Sequence, residues 1–238
     1  MITAQLATIP QRVSSMLLTV NSLNSQVDFL NVMCNNYTER EANFINASLN
    51  DWQYYRNFKP TALAFHKRNN EIGDAEKFYK VENHSGYFFT CDDDLIYPPD
   101  YVKYMISKIE QYERKAVITL HGRNYTPGRI EKYYGGRNRT EAYHCLQRVE
   151  GDHKVMIGGT GVMAFHTDTL KIKYEDFKLP NMADLWMAIV CRNQNVPIMV
   201  VEHLPNWLQV GYDGEDTIWN KHYNDDSMQT EIYNKYMI

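Results

Sequence analysis

Gly86-Tyr87-Phe88-Phe89-Thr90-Cys91-Asp92-Asp93-Asp94 is an aromatic, apolar run that stops at three consecutive carboxylates. Its first six residues read as a buried strand. In an α/β protein the ligand groups lie at the carboxyl end of such strands, in the crevice outside the sheet. Three like charges at that junction repel each other and lose hydration, so the cluster needs a cation or many donors to compensate it. Hard carboxylate oxygens suit Mg²⁺ or Mn²⁺, ions that keep waters and take the rest of their shell from substrate phosphates. The plainer alternative is that the aspartates open the next helix. Tyr97-Pro98-Pro99-Asp100 already supplies that start, so the triplet is surplus to capping.

Working outward, short β-branched or aromatic runs alternate with helical patterns, as in a sheet built from βα units. Ile2–Ile9 reads as the first strand, and Val13, Met16, Leu17, Val20 and Leu23 as the apolar face of the helix after it. Val27–Cys34 and Thr61–Phe65 are further strands, separated by a helical or loop segment over Glu39–Arg56. Asp74–Val81 reads as a short helix started by Gly73-Asp74. After the acidic triplet, Pro98–Glu113 is helical, with Val102, Met105, Ile106 and Ile109 in one stripe, and Lys115–Leu120 is the next strand. Gly122–Asp152 turns polar, carries Arg129, Lys132, Arg137, Arg139 and Arg148, and reads as a mobile or acceptor-facing insertion. Val155–Ile157 and Val162–His166 frame Gly158-Gly159-Thr160-Gly161. Met182–Asn195 is an apolar helix, and Pro197–Val201 the last clear strand.

The chain's 238 residues suffice for one large α/β domain. A formal charge of −4 argues against a dedicated nucleic-acid binder, so an anionic donor would need its positive charge from a local metal and not from the whole surface. Cys34, Cys91, Cys145 and Cys191 lie far apart with no Cys-x-x-Cys pair, which suggests neither a zinc site nor a disulfide framework and fits a reducing compartment. The N-terminus lacks a basic region ahead of its apolar residues, so it reads as a strand and not a signal peptide. No stretch reaches the ~18 apolar residues of a membrane span. A cytoplasmic location is expected.

Several motifs in order resemble the GT-A-fold glycosyltransferases, in particular the small, family-2-like bacterial and viral enzymes that build surface glycans. Ala7-Thr8-Ile9-Pro10-Gln11-Arg12 is similar to the opening nucleotide-binding strand and turn, and Gly73-Asp74-Ala75-Glu76-Lys77-Phe78 to a second nucleotide contact. Asp92-Asp93-Asp94 with Tyr97-Pro98-Pro99 resembles the DXD metal motif and its following helix. Gly159-Thr160-Gly161 with Ala164-Phe165-His166 resembles an acceptor-side loop and strand, and Ala183-Asp184-Leu185-Trp186 the helix start that often carries the base. The resemblance implies a Rossmann-like GT-A fold: one domain over 1–238 with a mixed, mostly parallel twisted sheet flanked by helices. Its nucleotide-binding part is expected at about 1–115, its acceptor-side part at about 116–210 and a tail at 211–238. It implies a nucleoside-diphosphate sugar donor of the UDP class, a glycan acceptor, and Mn²⁺ or Mg²⁺ as cofactor.

On that reading Thr8, Ile9, Pro10, Arg12, Asp74, Lys77, Asp92 and Asp93 meet the nucleotide. Asp94 is first choice for direct metal contact, with Asp92 on the ribose or a metal-bound water. His203, which ends Val200-Val201-Glu202-His203, is a candidate third ligand. Asp184 is the candidate base that takes the acceptor's proton in an inverting transfer. Each has a plainer alternative: a helix cap for Asp74 and Asp184, a solvated helix face for Arg12 and Lys77, and a hydrogen-bonded strand-end residue for His203. His121 ends a strand and is a further pocket candidate. Trp207 reads as an acceptor platform or a core residue. A retaining transferase, a sugar-1-phosphate nucleotidyltransferase and a silent glycan- or nucleotide-binding module remain open. The nucleotidyltransferase reading expects a glycine-rich basic loop after the first strand, which Thr8-Ile9-Pro10-Gln11-Arg12 is not.

Overall fold

The computed structural model describes residues 1–56, 58–59, 61–66, 71, 73–212, 214 and 225–238, so the expected tail at 213 and 215–224 lies outside the described residues. It contains strands β1 (Ile2–Thr8), β2 (Phe29–Asn35), β3 (Thr61–His66), β4 (Tyr87–Cys91), β5 (Leu95–Ile96), β6 (Val117–Thr119), β7 (Gly122–Tyr125), β8 (Arg139–Tyr143), β9 (His153–Val155), β10 (Ile157–Gly158), β11 (Val162–His166), β12 (Ile198–Val200) and β13 (Gln209–Val210). The helices are α1 (Val13–Leu23), α2 (Glu39–Arg56), α3 (Tyr101–Gln111), α4 (Ala183–Asn193) and α5 (Ser227–Tyr236).

Eight strands form the main sheet in the order β3-β2-β1-β4-β11-β6-β12-β9. The β1/β2, β2/β3, β1/β4 and β6/β12 pairs are parallel, whereas β11 runs against both β4 and β6, and β9 against β12. This is the mixed, mostly parallel sheet the sequence implies. Side chains alternate across it. On β4, Phe88 joins one core with Phe78, Phe165, Leu185 and Trp186, while Phe89 and Cys91 join the other with Met16, Val20, Met105 and Ile109. The period-3.6 stripes of α1 and α3 therefore cover one face, and α4 covers the other.

Local differences from the sequence reading have local causes. Gly73–Phe78 winds as a 3-10 turn and Val81–Asn83 as a second, with Lys80 between them in the left-handed region, so no continuous helix spans 74–81. The expected strand over 155–157 splits: Val155 pairs in the main sheet, and Ile157 pairs with β7. Strands β10, β7 and β8 make a second antiparallel sheet from the polar stretch after Gly122, whose Tyr125, Ile130 and Tyr133 are buried. Gly122 and Gly158 face each other in it. A Cβ on either would stand within 3 Å of Val200, Val155 or Ile198 side chains, so the close approach of the two sheets needs both glycines. The amphipathic end forms α5 and inserts Tyr233 beside Tyr125. Among the described residues no helix is long and apolar enough to cross a membrane.

Candidate active site

The chain leaves β1 in opposite directions, to β2 and β3 on one side and β4 on the other. The crevice between β1 and β4 is thus the switch point where α/β sheets bind ligands. Because β4 is parallel to β1, with Leu6 opposite Cys91, Ala7-Thr8-Ile9 emerges beside Asp92-Asp93-Asp94. Because β11 is antiparallel to β4, with Val162 opposite Cys91, it is the start of β11 that meets the same crevice. The Asp92 amide donates to the Gly161 carbonyl at 3.1 Å. On the far side of β11, the Gly159 amide donates to the His121 carbonyl at 2.7 Å. A cavity of about 660 Å³ opens there. Its walls include Thr8, Ile9, Arg12, Asp74, Lys77, all three aspartates of the triplet, His121, Arg123, Thr160, Gly161 and Asp184.

The compensation that the acidic triplet requires comes from two side-chain cations. Arg12 Nη1 lies 2.9 Å from both Asp93 Oδ1 and Asp94 Oδ2, and the Lys77 ammonium bonds Asp92 Oδ1. Arg12 and Lys77 therefore do not occupy the solvated helix faces of the plainer reading. Burial pulls the Lys77 pKa down, but Asp92 and Asp74 outweigh it and hold the ammonium above its usual range. Burial, then Asp92 and Asp93, push Asp94 up to about 7 against the pull of Arg12. Asp93 is also raised, chiefly by burial, with Arg12 and the Thr8 hydroxyl opposing. Tyr97 ties the strand end to β11. Its hydroxyl donates to the Gly161 carbonyl at 2.5 Å and accepts the Asp92 amide at 2.9 Å.

Asp184 stands in the first turn of α4, yet it does not cap that helix. Its Oδ1 accepts from the Thr160 amide at 2.8 Å and the Thr160 hydroxyl at 2.7 Å. Asp74 caps α4 from the adjoining 3-10 turn instead, with Oδ2 accepting the Ala183 amide at 3.2 Å. Burial raises the Asp74 pKa to about 7, with Lys77 opposing and Asp184 adding to the rise. Thr160-Gly161 thus separates two carboxylate groups: Thr160 holds Asp184, and Gly161 abuts Asp92 so closely that an added Cβ would stand 1.8 Å from Asp92 Oδ2.

Other candidates sit differently. Ile9 lines the cavity, but its carbonyl already accepts from the Tyr37 hydroxyl at 2.9 Å, and Pro10 begins a 3-10 turn outside the lining. His203 is buried apart from the cavity, with Nδ1 2.8 Å from the Val201 carbonyl and Nε2 3.3 Å from the His144 carbonyl. Metal ligation by His203 would require one of these contacts to break. Trp207 packs on Tyr101 and Tyr104 and donates to Asp100 at 3.1 Å, away from the lining, so it is no acceptor platform in this structure. Cys34, Cys91 and Cys191 are buried free thiols, as their apolar runs suggest. Residues with no sequence signal of their own join the site: Asn35, Tyr133, Tyr134, His144 and, above all, Arg123. Asn35 comes from the end of β2 in the main sheet, and the pairing of the second sheet brings the others. Among the described residues no three His, Cys, Asp or Glu side chains cluster as a ready metal shell.

No family model matches the chain, and no curated protein matches it. Among solved structures, the inositol-1-phosphate CTP transferase from T. maritima superposes with a TM-score of 0.47 at 12% identity, covering 99% of this chain and 96% of that one. The glucosyl-3-phosphoglycerate synthase from Mycobacterium tuberculosis, in complex with Mn²⁺, uridine diphosphate and phosphoglyceric acid, gives 0.46 at 12% identity. That match covers 86% of this chain and 71% of the other. Likeness at this level transfers neither residue roles nor chemistry to this chain.

Proposed function

We propose that this chain is a single-domain, metal-dependent glycosyltransferase that moves a sugar from a nucleoside-diphosphate donor, of the UDP class, to a glycan hydroxyl with inversion. The observation that carries the reading is the placement of two carboxylate groups on one cavity at the sheet's switch point, Asp92–Asp94 on one side of Thr160-Gly161 and Asp184 on the other. The acceptor oxygen attacks the anomeric carbon, the bond to the diphosphate breaks with its electron pair leaving on the diphosphate, and the hydroxyl proton passes to Asp184. Thr160 holds Asp184 by two hydrogen bonds to a single oxygen, which leaves Oδ2 to face the acceptor.

The donor set suits a hard divalent ion with an incomplete protein shell. Asp92 and Asp94 would hold it, since each keeps one carboxylate oxygen outside its contact with Lys77 or Arg12, and phosphate oxygens and water would complete the coordination. Bound there, the ion would neutralise charge on the departing diphosphate. Thr8, Arg12, Asp74 and Lys77 line the donor end. The test is release of nucleoside diphosphate from a panel of nucleotide-sugars, with and without EDTA. Asp94→Ala is expected to abolish transfer and metal-assisted nucleotide binding, and Asp184→Ala to abolish transfer while leaving nucleotide affinity nearly intact. Equal loss of nucleotide affinity in both variants, or turnover indifferent to EDTA, contradicts the proposal.

A further inference from the structure

Every carboxylate lining the cavity has a partner, and so does its most buried cation, Lys77, but among the described residues a second buried cation of the lining, Arg123, has no carboxylate bound to it. Arg123 lies on β7 in the second sheet, is 8% exposed and lines the cavity. Among the described residues it forms no ion pair, and its Nε has no hydrogen-bond partner. What surrounds the guanidinium is aromatic: it lies 4.3 Å from the Tyr133 ring centroid and 5.5 Å from that of Tyr134. Cation–π contact offsets only part of the hydration that a buried guanidinium loses. A guanidinium has five donors in a rigid fork that matches carboxylate and phosphate oxygens.

The lining near Arg123 carries further positive or neutral groups. Arg139 starts β8, opposite Tyr125, and lines the cavity without an ion pair among the described residues. His144 lines it too, its ring edge-on to His121 at 5.0 Å. This contrasts with the opposite end, where Arg12 and Lys77 are spent on the aspartate triplet. The Asp184 charge acts on Arg123, so this cation belongs to the side of the cavity where the acceptor's proton would be taken.

We infer that Arg123, with Arg139 and His144, binds an anionic oxygen group, phosphate monoester or carboxylate, carried by the acceptor substrate. The inference rests on the glycosyltransferase reading for the word acceptor, while the anion site itself stands on the unpaired guanidinium. It makes the acceptor a phosphorylated or acidic sugar, anchored by its charge so that a neighbouring hydroxyl meets Asp184.

The test is calorimetric titration of the full chain with inorganic phosphate and, separately, with acetate, each with and without saturating UDP and Mn²⁺. At least one anion is expected to bind alongside UDP, and the stronger of the two identifies the group. Arg123→Gln should weaken that binding at least about tenfold, the loss of one charge-assisted contact. Arg139→Gln should weaken it a few-fold, and UDP affinity should stay within about twofold in both variants. No anion binding, anion binding indifferent to both substitutions, or a parallel fall in UDP affinity overturns the inference, the last by placing Arg123 in the donor site. Should Arg123→Gln fail to melt cooperatively, Arg139→Gln decides: retained anion affinity there counts against the wall, and weakened affinity supports it. UDP binding without anion binding sinks this inference alone. Arg123-dependent anion binding without any UDP binding sinks the donor reading and supports the anion site.

Discussion

Asp74→Asn should stabilise the protein at alkaline pH and do little at acid pH. Asp74 is half-buried, with Oδ2 on the Ala183 amide and with Oδ1 buried and without a hydrogen-bond partner. Burial raises its pKa from 3.8 to about 7. A carboxyl whose folded value lies above its unfolded one contributes stability that is fully present below the unfolded value and is lost as pH rises through the folded one. At about 1.4 kcal/mol for each pH unit between the two values, the loss from pH 4 to pH 8 is roughly 4 kcal/mol. Asparagine is neutral throughout, and its amide oxygen can still accept the Ala183 amide. Lys77 loses one neighbouring charge but keeps Asp92. Asp93 and Asp94 are also pushed up, so both proteins lose stability with pH, and the difference between them isolates Asp74. The assay is urea unfolding by circular dichroism at pH 5, 6, 7 and 8. Curves that stay parallel across that range would refute the assignment of a protonated Asp74.

Gly161→Ala must push the Asp92 carboxylate aside, and nucleotide-sugar turnover should fall at least about tenfold while the melting transition remains cooperative. Thr160→Val removes one of the two hydrogen bonds that hold Asp184, so kcat should drop about tenfold with UDP affinity unchanged in a parallel titration. Tyr97→Phe leaves the Gly161 carbonyl and the Asp92 amide without their shared hydroxyl and should cost about 1–3 kcal/mol in urea unfolding. Burial, then Arg123, push His121 down to about 4, so its ring signals in an NMR titration should stay constant from pH 5 to 8 and move only near 4.

The alternation of apolar runs and helical stripes carried the main sheet in the sequence, because strands buried on both faces are continuous in composition and α1, α3 and α4 each bury one stripe. The triplet's position at a strand end was legible for the same reason, and so was its need for positive charge. What supplies that charge was not: Arg12 is 81 positions from Asp93 in the chain, and only the parallel pairing of β1 with β4 brings them together. The contact that takes Asp184 away from capping was not legible, since its bond to Thr160 depends on the placement of β11. The second sheet was the least legible part. Its strands are short and polar on one face, Arg139–Tyr143 is mostly exposed, and Arg123 carries no local pattern that separates it from a surface arginine.

One reversed strand ties the two halves of the cavity together. Because β11 enters head-first where its neighbours leave, a single peptide unit, Thr160-Gly161, is the shared abutment of both acidic arms. Neither arm can be re-aimed alone: a substitution that shifts the Asp92 side will be felt at Asp184, and one that shifts Asp184 will be felt at Asp92.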